Sequence, residues 1–227
     1  MPDLDVYLQT SFGPVVVLIS AFISALVVSL IPFLAYPFKL FFTMIHELGH
    51  VFATRLSRGE VLGFFVFAND SGIAFRRGGD HLLIGPAGYL GTTIFSAALI
   101  LLGGLPDVAP YTLLALGITL ILAVLLYGSR SLLTLIVGLF FGSGFIGIAW
   151  FTQLLWSVFM VNLLALQGSF IAIRHLSQLA RNLSGSDDAS KMAQQFGCAP
   201  IFWVRSWQLL SLSILGTAFW FAWLRGW

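Results

Sequence analysis

Three residues in this chain could do chemistry together. His46 and His50 are four apart and Glu47 lies between them, in the run His46-Glu47-Leu48-Gly49-His50. On a helix, residues four apart share one face, so both imidazoles can aim a nitrogen at one Zn²⁺ while Glu47 stands beside it as a candidate general base. The chemistry such a set supports is hydrolysis by a zinc-activated water. The chain has four His and two Glu in all, so chance placement at this spacing is rare. From Pro37 to Thr54 the only other charge is Lys39, and ionisable groups inside an apolar stretch are costly and mark functional sites.

That stretch belongs to a chain built for a membrane. Of 227 residues 59% are hydrophobic and 9% charged, with a mean hydropathy of +0.97; soluble domains carry roughly a quarter charged residues. The net charge of +2 comes without a basic block interleaved with aromatics, which argues against a nucleic-acid partner. The single Cys198 rules out an internal disulfide and a cysteine-based zinc site. Only Asp3 and Asp5 precede the first apolar run. With no basic segment there, that run is expected to stay as an anchor rather than be cleaved as a signal peptide.

Apolar runs predict about seven transmembrane helices, or six: Val15 to Ala35, Phe38 to Leu56, Leu82 to Leu102, Tyr111 to Tyr127, Leu132 to Ala149, Trp150 to Ile173 and Phe202 to Leu224. Gly142-Ser143-Gly144 is a candidate break. The fold expected is therefore an all-α polytopic integral membrane protein. Residues 1–36 would form an N-terminal transmembrane anchor and 37–227 a zinc metallopeptidase-like membrane domain. With the N-terminus cytoplasmic, Arg55, Arg58, Arg76, Arg77, Arg130, Arg174, Arg181, Lys191 and Arg205 share one side, leaving Lys39 and Arg225 on the other. Positive charge is retained on the cytoplasmic side, so the His50 end of the motif should lie near the cytoplasmic face, or its stromal or matrix equivalent. Between the second and third spans, β-prone residues flank Ala68-Asn69-Asp70-Ser71-Gly72 and predict a small interfacial β-hairpin beside the metal helix. It could be a plain loop, or an edge strand that holds a substrate extended.

Catalytic zinc takes three protein ligands and leaves a fourth position for water. Candidates for the third near the same face are Glu60, Asp70, Asp80, His81, His175, Asp187 and Asp188. Each has a plain alternative: Asp80 as the N-cap of the third span, and Ser186 or Asp187 as the cap of a short polar helix. Ala87-Gly88-Tyr89-Leu90-Gly91 offers a small-residue face for close helix packing, with Tyr89 near the site as a further possibility.

Taken together, His46-Glu47-Leu48-Gly49-His50, Ala87-Gly88-Tyr89-Leu90-Gly91 and Asp188-Ala189 resemble the compact membrane-peptidase-like branch of the site-2 protease family, from about Lys39 to the C-terminus. The resemblance implies an intramembrane zinc endopeptidase that cleaves membrane-anchored proteins in the lipid bilayer, with Glu47 as catalytic base. Better-known members complete the zinc site with an Asp in Leu-Asp-Gly. Here the equivalent is Leu166-Gln167-Gly168, and the resemblance moves the third ligand to Asp188, with Asp187 second. The missing carboxylate also sustains an alternative, a catalytically silent relative that works as a membrane binding or chaperone-like protein. A transporter fits less well, since the spans hold few other charges and no evident inverted repeat.

Overall fold

In the computed structural model, residue 8 and residues 13–225 are described. The expectation drawn from Asp3 and Asp5 lies outside them. Among the described residues eight α-helices and one hairpin follow in order: α1 (Gly13–Leu30), α2 (Pro32–Leu56), β1 (Glu60–Val66), β2 (Gly72–Arg77), α3 (His81–Gly103), α4 (Ala109–Ala123), α5 (Leu132–Phe151), α6 (Leu154–Arg181), α7 (Asp188–Phe196) and α8 (Pro200–Phe219). A π-helical turn extends α4 through Val124–Gly128 and another extends α8 through Trp220–Leu224. Among the described residues six helices are long and apolar enough to cross a membrane. The motif helix α2 has 25 residues, but Lys39, His46, Glu47, His50 and Arg55 lower its hydropathy.

Two boundaries differ from those expected. The first apolar run ends at Leu30 rather than Ala35, because Pro32 supplies no backbone donor and forces Ile31 into an extended conformation (φ −102°, ψ 106°). Pro32 then opens α2, where its fixed φ suits the first turn, and Pro37 is absorbed into that helix. The glycines around Ser143 leave α5 continuous, and the break falls at Thr152 and Gln153, after which α6 runs well beyond Ile173 to Arg181.

The hairpin forms as predicted, with β1 and β2 antiparallel from Glu60↔Arg77 to Val66↔Gly72. It runs back along α2 rather than outward. Tyr36 OH donates to Ala68 O (2.8 Å), Thr43 Oγ1 donates to Asp70 O (3.0 Å) and Lys39 Nζ lies 3.3 Å from Asp70 Oδ2. Tyr36 is about 30 Å from Leu56 by helical rise, so the turn reaches far down the helix that precedes it. The outer edge of β1 is covered: Val66 N donates to Thr134 Oγ1 at the start of α5 (2.9 Å), and Gly63 abuts the backbone of Tyr127. The core beneath is aromatic, with Phe41 packed 4.9 Å from Phe42 and 4.8 Å from Phe141 between ring centroids.

Helices α2 and α3 cross through glycine. A Cβ on Gly49 would run into the carbonyl group of Ala87, and one on Gly91 would lie 3.3 Å from Gly49 Cα. In lipid, helices gain little from hiding apolar surface from one another, so close backbone approach at small residues supplies the packing energy. Gly49→Ala should therefore destabilise the fold by about 1–3 kcal/mol despite alanine's better helix propensity, read as a lower unfolding temperature in detergent. Gly144→Ala, whose Cβ meets nothing within 4 Å, should leave that temperature unchanged or raise it.

Candidate active site

The α2–α3 crossing sets the position of the two motif histidines. Ile84 O, in the first turn of α3, lies 2.8 Å from His50 Nδ1. A carbonyl only accepts, so Nδ1 carries the proton and the neutral ring presents the Nε2 lone pair on its other side. His46 Nε2 is 3.3 Å from that atom. The His46 ring fits where Gly88 has no side chain, since a Cβ there would overlap it. Tyr89 closes the outer side: its ring meets His46 edge-on at 4.7 Å and stacks on Trp207 at 5.6 Å.

The short helix α7 brings a carboxylate to the same point. Asp187 caps it, accepting from Ser190 N and from Ser184 N, both at 2.8 Å. On its buried face Met192 fills the space over Gly85 of α3, and Ala189 packs in a cluster with Leu176 and Trp207. Asp188, in the first turn, thereby sits with Oδ2 3.3 Å from His50 Nε2 and 3.8 Å from His46 Nε2, while Lys191 Nζ is 3.5 Å from Oδ1. Burial alone would raise the Asp188 carboxyl, but His46 and His50, when they carry a proton toward it, outweigh burial and hold the group well below the usual carboxylate range; a cation among the three would act in the same sense. Asp187 behaves alike in kind: partial burial raises it, and the bonds from Ser190 and Ser184 bring it below its ordinary value.

Three lone-pair donors thus converge within 4.8 Å of one another. Such a cluster is repulsive unless a proton or a metal cation sits among the donors. For Zn–ligand bonds of about 2.0–2.1 Å in a tetrahedron, donors stand about 3.3 Å apart, close to the separations found here. His46, His50 and Asp188 therefore fit a metal ion. Glu47 adjoins them, 5% exposed, with its carboxylate making no hydrogen bond to the described residues. It packs against the hairpin turn, where a Cβ on Gly72 would lie 2.6 Å from Glu47 Oε1. All four side chains line one cleft of about 630 Å³, whose other walls include Gly72, Ile73, Ala74 and Arg76 of β2.

The remaining candidates for third ligand are engaged elsewhere or stand apart from the cluster. Glu60 pairs with Arg77 (3.7 Å), Asp70 with Lys39, Asp80 caps α3 through Leu82 N (2.8 Å), and His81 Nδ1 is 3.3 Å from Arg76 Nη2. His175 lines the cleft without joining the cluster. Gln167, in the place of the missing carboxylate, faces away: its Nε2 donates to Ala25 O of α1 (2.9 Å) and its Oε1 accepts from Ser29 (3.3 Å). Gly72, Gly85 and Ile84 were missed from sequence. A glycine closing a turn and an apolar residue opening a helix carry no signal of the groups they will face.

Apolar helices around a His/His/Asp cluster with a buried glutamate have the form of an integral membrane metallopeptidase. The chain belongs to the Peptidase M50B-like family, within the site-2 proteases, and matches it over residues 19–218. The match begins inside α1, so the likeness takes in the first helix as well as the part from Lys39 onward. No curated protein and no solved structure matches the chain. The multi-pass membrane architecture follows from the family and the six apolar helices together.

Metal content of detergent-purified protein checks the cluster. About one zinc per chain is expected in the wild type, with loss in His46→Ala and Asp188→Ala and retention in Gln167→Ala and His81→Ala. Asp187→Ala removes a helix cap worth about 1 kcal/mol and should weaken zinc retention without abolishing it.

Proposed function

We propose that this protein is an intramembrane zinc endopeptidase that hydrolyses membrane-anchored protein substrates. The observation that carries this reading is the convergence of His46, His50 and Asp188 beside the unpaired Glu47 carboxylate, in a cleft one wall of which is a strand edge. His46, His50 and Asp188 would hold the ion. Zinc bound there supplies a Lewis acid that acidifies water and draws charge from a carbonyl oxygen. Glu47 is placed to take a proton from the attacking water and return it to the departing amine. Gly72 keeps the space around that carboxylate clear.

Substrate helices have their amides tied up in internal hydrogen bonds, so a scissile segment must first unwind. Since the far edge of β1 is covered, β2 is the edge that borders the cleft, and an extended segment laid along it would recover its lost backbone bonds. The distribution of Arg and Lys supports a cleft near the cytoplasmic, stromal or matrix face, where water is at hand. Asp188 answers the objection that the usual carboxylate is absent, and so favours an active enzyme over a silent membrane-binding relative.

Cleavage of single-span proteins by the zinc-loaded enzyme tests this. Glu47→Gln should keep its zinc and lose about 10²–10⁴-fold in rate, and Gly72→Val should keep zinc while losing activity by displacing Glu47. Undiminished cleavage by Glu47→Gln would sink the reading.

A further inference from the structure

Of the four histidines, two belong to the cluster and His81 meets Arg76 at the exposed mouth. His175 is left over. It sits on α6, half-buried, and makes no hydrogen bond to any described residue. A neutral imidazole always carries one N–H and one lone pair, so this ring keeps a donor and an acceptor for whatever enters the space beside it. His175 is the single residue of α6 lining the cleft that holds His46, Glu47, His50 and Asp188. It also borders a second cavity of about 260 Å³ that adjoins the cleft at Asp70. It therefore stands where the cleft meets the second cavity, with its ring nitrogens available to whatever occupies that space.

Several of the other cleft-lining polar groups are engaged, while the Tyr89 hydroxyl and Gln195 make no hydrogen bond to any described residue. Arg76 donates to Gly78 O (3.0 Å), Lys191 is drawn to Asp188, Thr43 is spent on Asp70 O, and the Tyr89 ring is held between His46 and Trp207. Peptide hydrolysis needs a donor for the negative charge that grows on the carbonyl oxygen, and a donor held ready in a site shielded from water is worth far more than one in solution.

We propose that His175 is a further catalytic residue, whose imidazole N–H donates a hydrogen bond to the scissile carbonyl oxygen as it becomes an oxyanion. The proton stays on the ring throughout, so the step moves no atoms beyond those Glu47 handles. This inference rests on the peptidase reading above.

The test compares wild type, His175→Phe, His175→Gln, Tyr89→Phe and Glu47→Gln as zinc-loaded proteins in detergent. The probes are a pool of quenched fluorogenic peptides, from which a cleaved sequence is taken, and a phosphinic analogue of that sequence as a tetrahedral, anionic mimic. Expected are unchanged zinc per chain in both His175 variants and a fall in kcat of about 10²–10³-fold in His175→Phe with little change in KM. The donor amide of His175→Gln should recover part of that fall. Affinity for the phosphinic peptide should drop in step with kcat/KM, while the uncleaved parent peptide binds equally with and without His175→Phe in a Glu47→Gln background. Zinc lost on substituting His175, wild-type kcat in His175→Phe, equal loss of parent-peptide affinity, or a fall confined to Tyr89→Phe would each overturn the assignment. Wild-type protein that binds zinc yet hydrolyses no better than Glu47→Gln would remove the peptidase reading and this inference with it, whereas an active wild type matched by His175→Phe removes the inference alone.

Discussion

The close crossing of α2 and α3 is the constraint on which everything else depends. Where Gly49 meets Ala87 and Gly91, the two backbones come together with no side chain between them. That approach brings Ile84 O within 2.8 Å of His50 and leaves the emptiness of Gly88 for the His46 ring. Widen the crossing by a methyl group and the orienting bond to His50 lengthens while His46 loses its seat. Small residues thus serve two ends here, association of helices in lipid and alignment of imidazoles.

The hairpin extends the same helix's influence in the other direction. Tyr36, Lys39 and Thr43, successive along one side of α2, fasten the turn at Ala68 and Asp70. Asp70 accepts a left-handed backbone conformation (φ 69°) in the process, a strained choice for a residue with a side chain and one that needs such anchoring. Because the outer edge of β1 meets Thr134 and, among the described residues, β2 pairs with β1 alone, the fastening turns the other edge of β2 toward the cleft beside Glu47. Backbone edges left open invite pairing, and here the invitation is confined to the cleft.

Much of this was legible in the residues. The i, i+4 histidines fix one face of a helix wherever it lies, and the Asn/Asp/Ser/Gly cluster between β-prone runs fixes a hairpin, because both are local consequences of spacing. The glycines of Ala87 to Gly91 marked a packing face for the same reason. The role of Gln167 was not legible, since facing α1 rather than the cleft is a rotation set by tertiary packing. Nor was the break at Ile31, where two prolines competed and the nearer one to the long apolar run won. The neighbourhood of Asp188 depended on resemblance. Its spacing from the histidines holds no periodicity, and only the seating of Met192 over Gly85 brings it there.

The cluster is also ordered in time. Two of its members stand on α2 and the third on α7, after every described apolar span except α8. A ribosome delivering this chain to a membrane therefore exposes the paired histidines long before their carboxylate partner exists. Assembly of the full constellation waits until α7 has folded across α3, so nascent and truncated chains carry the signature motif without the means to close it.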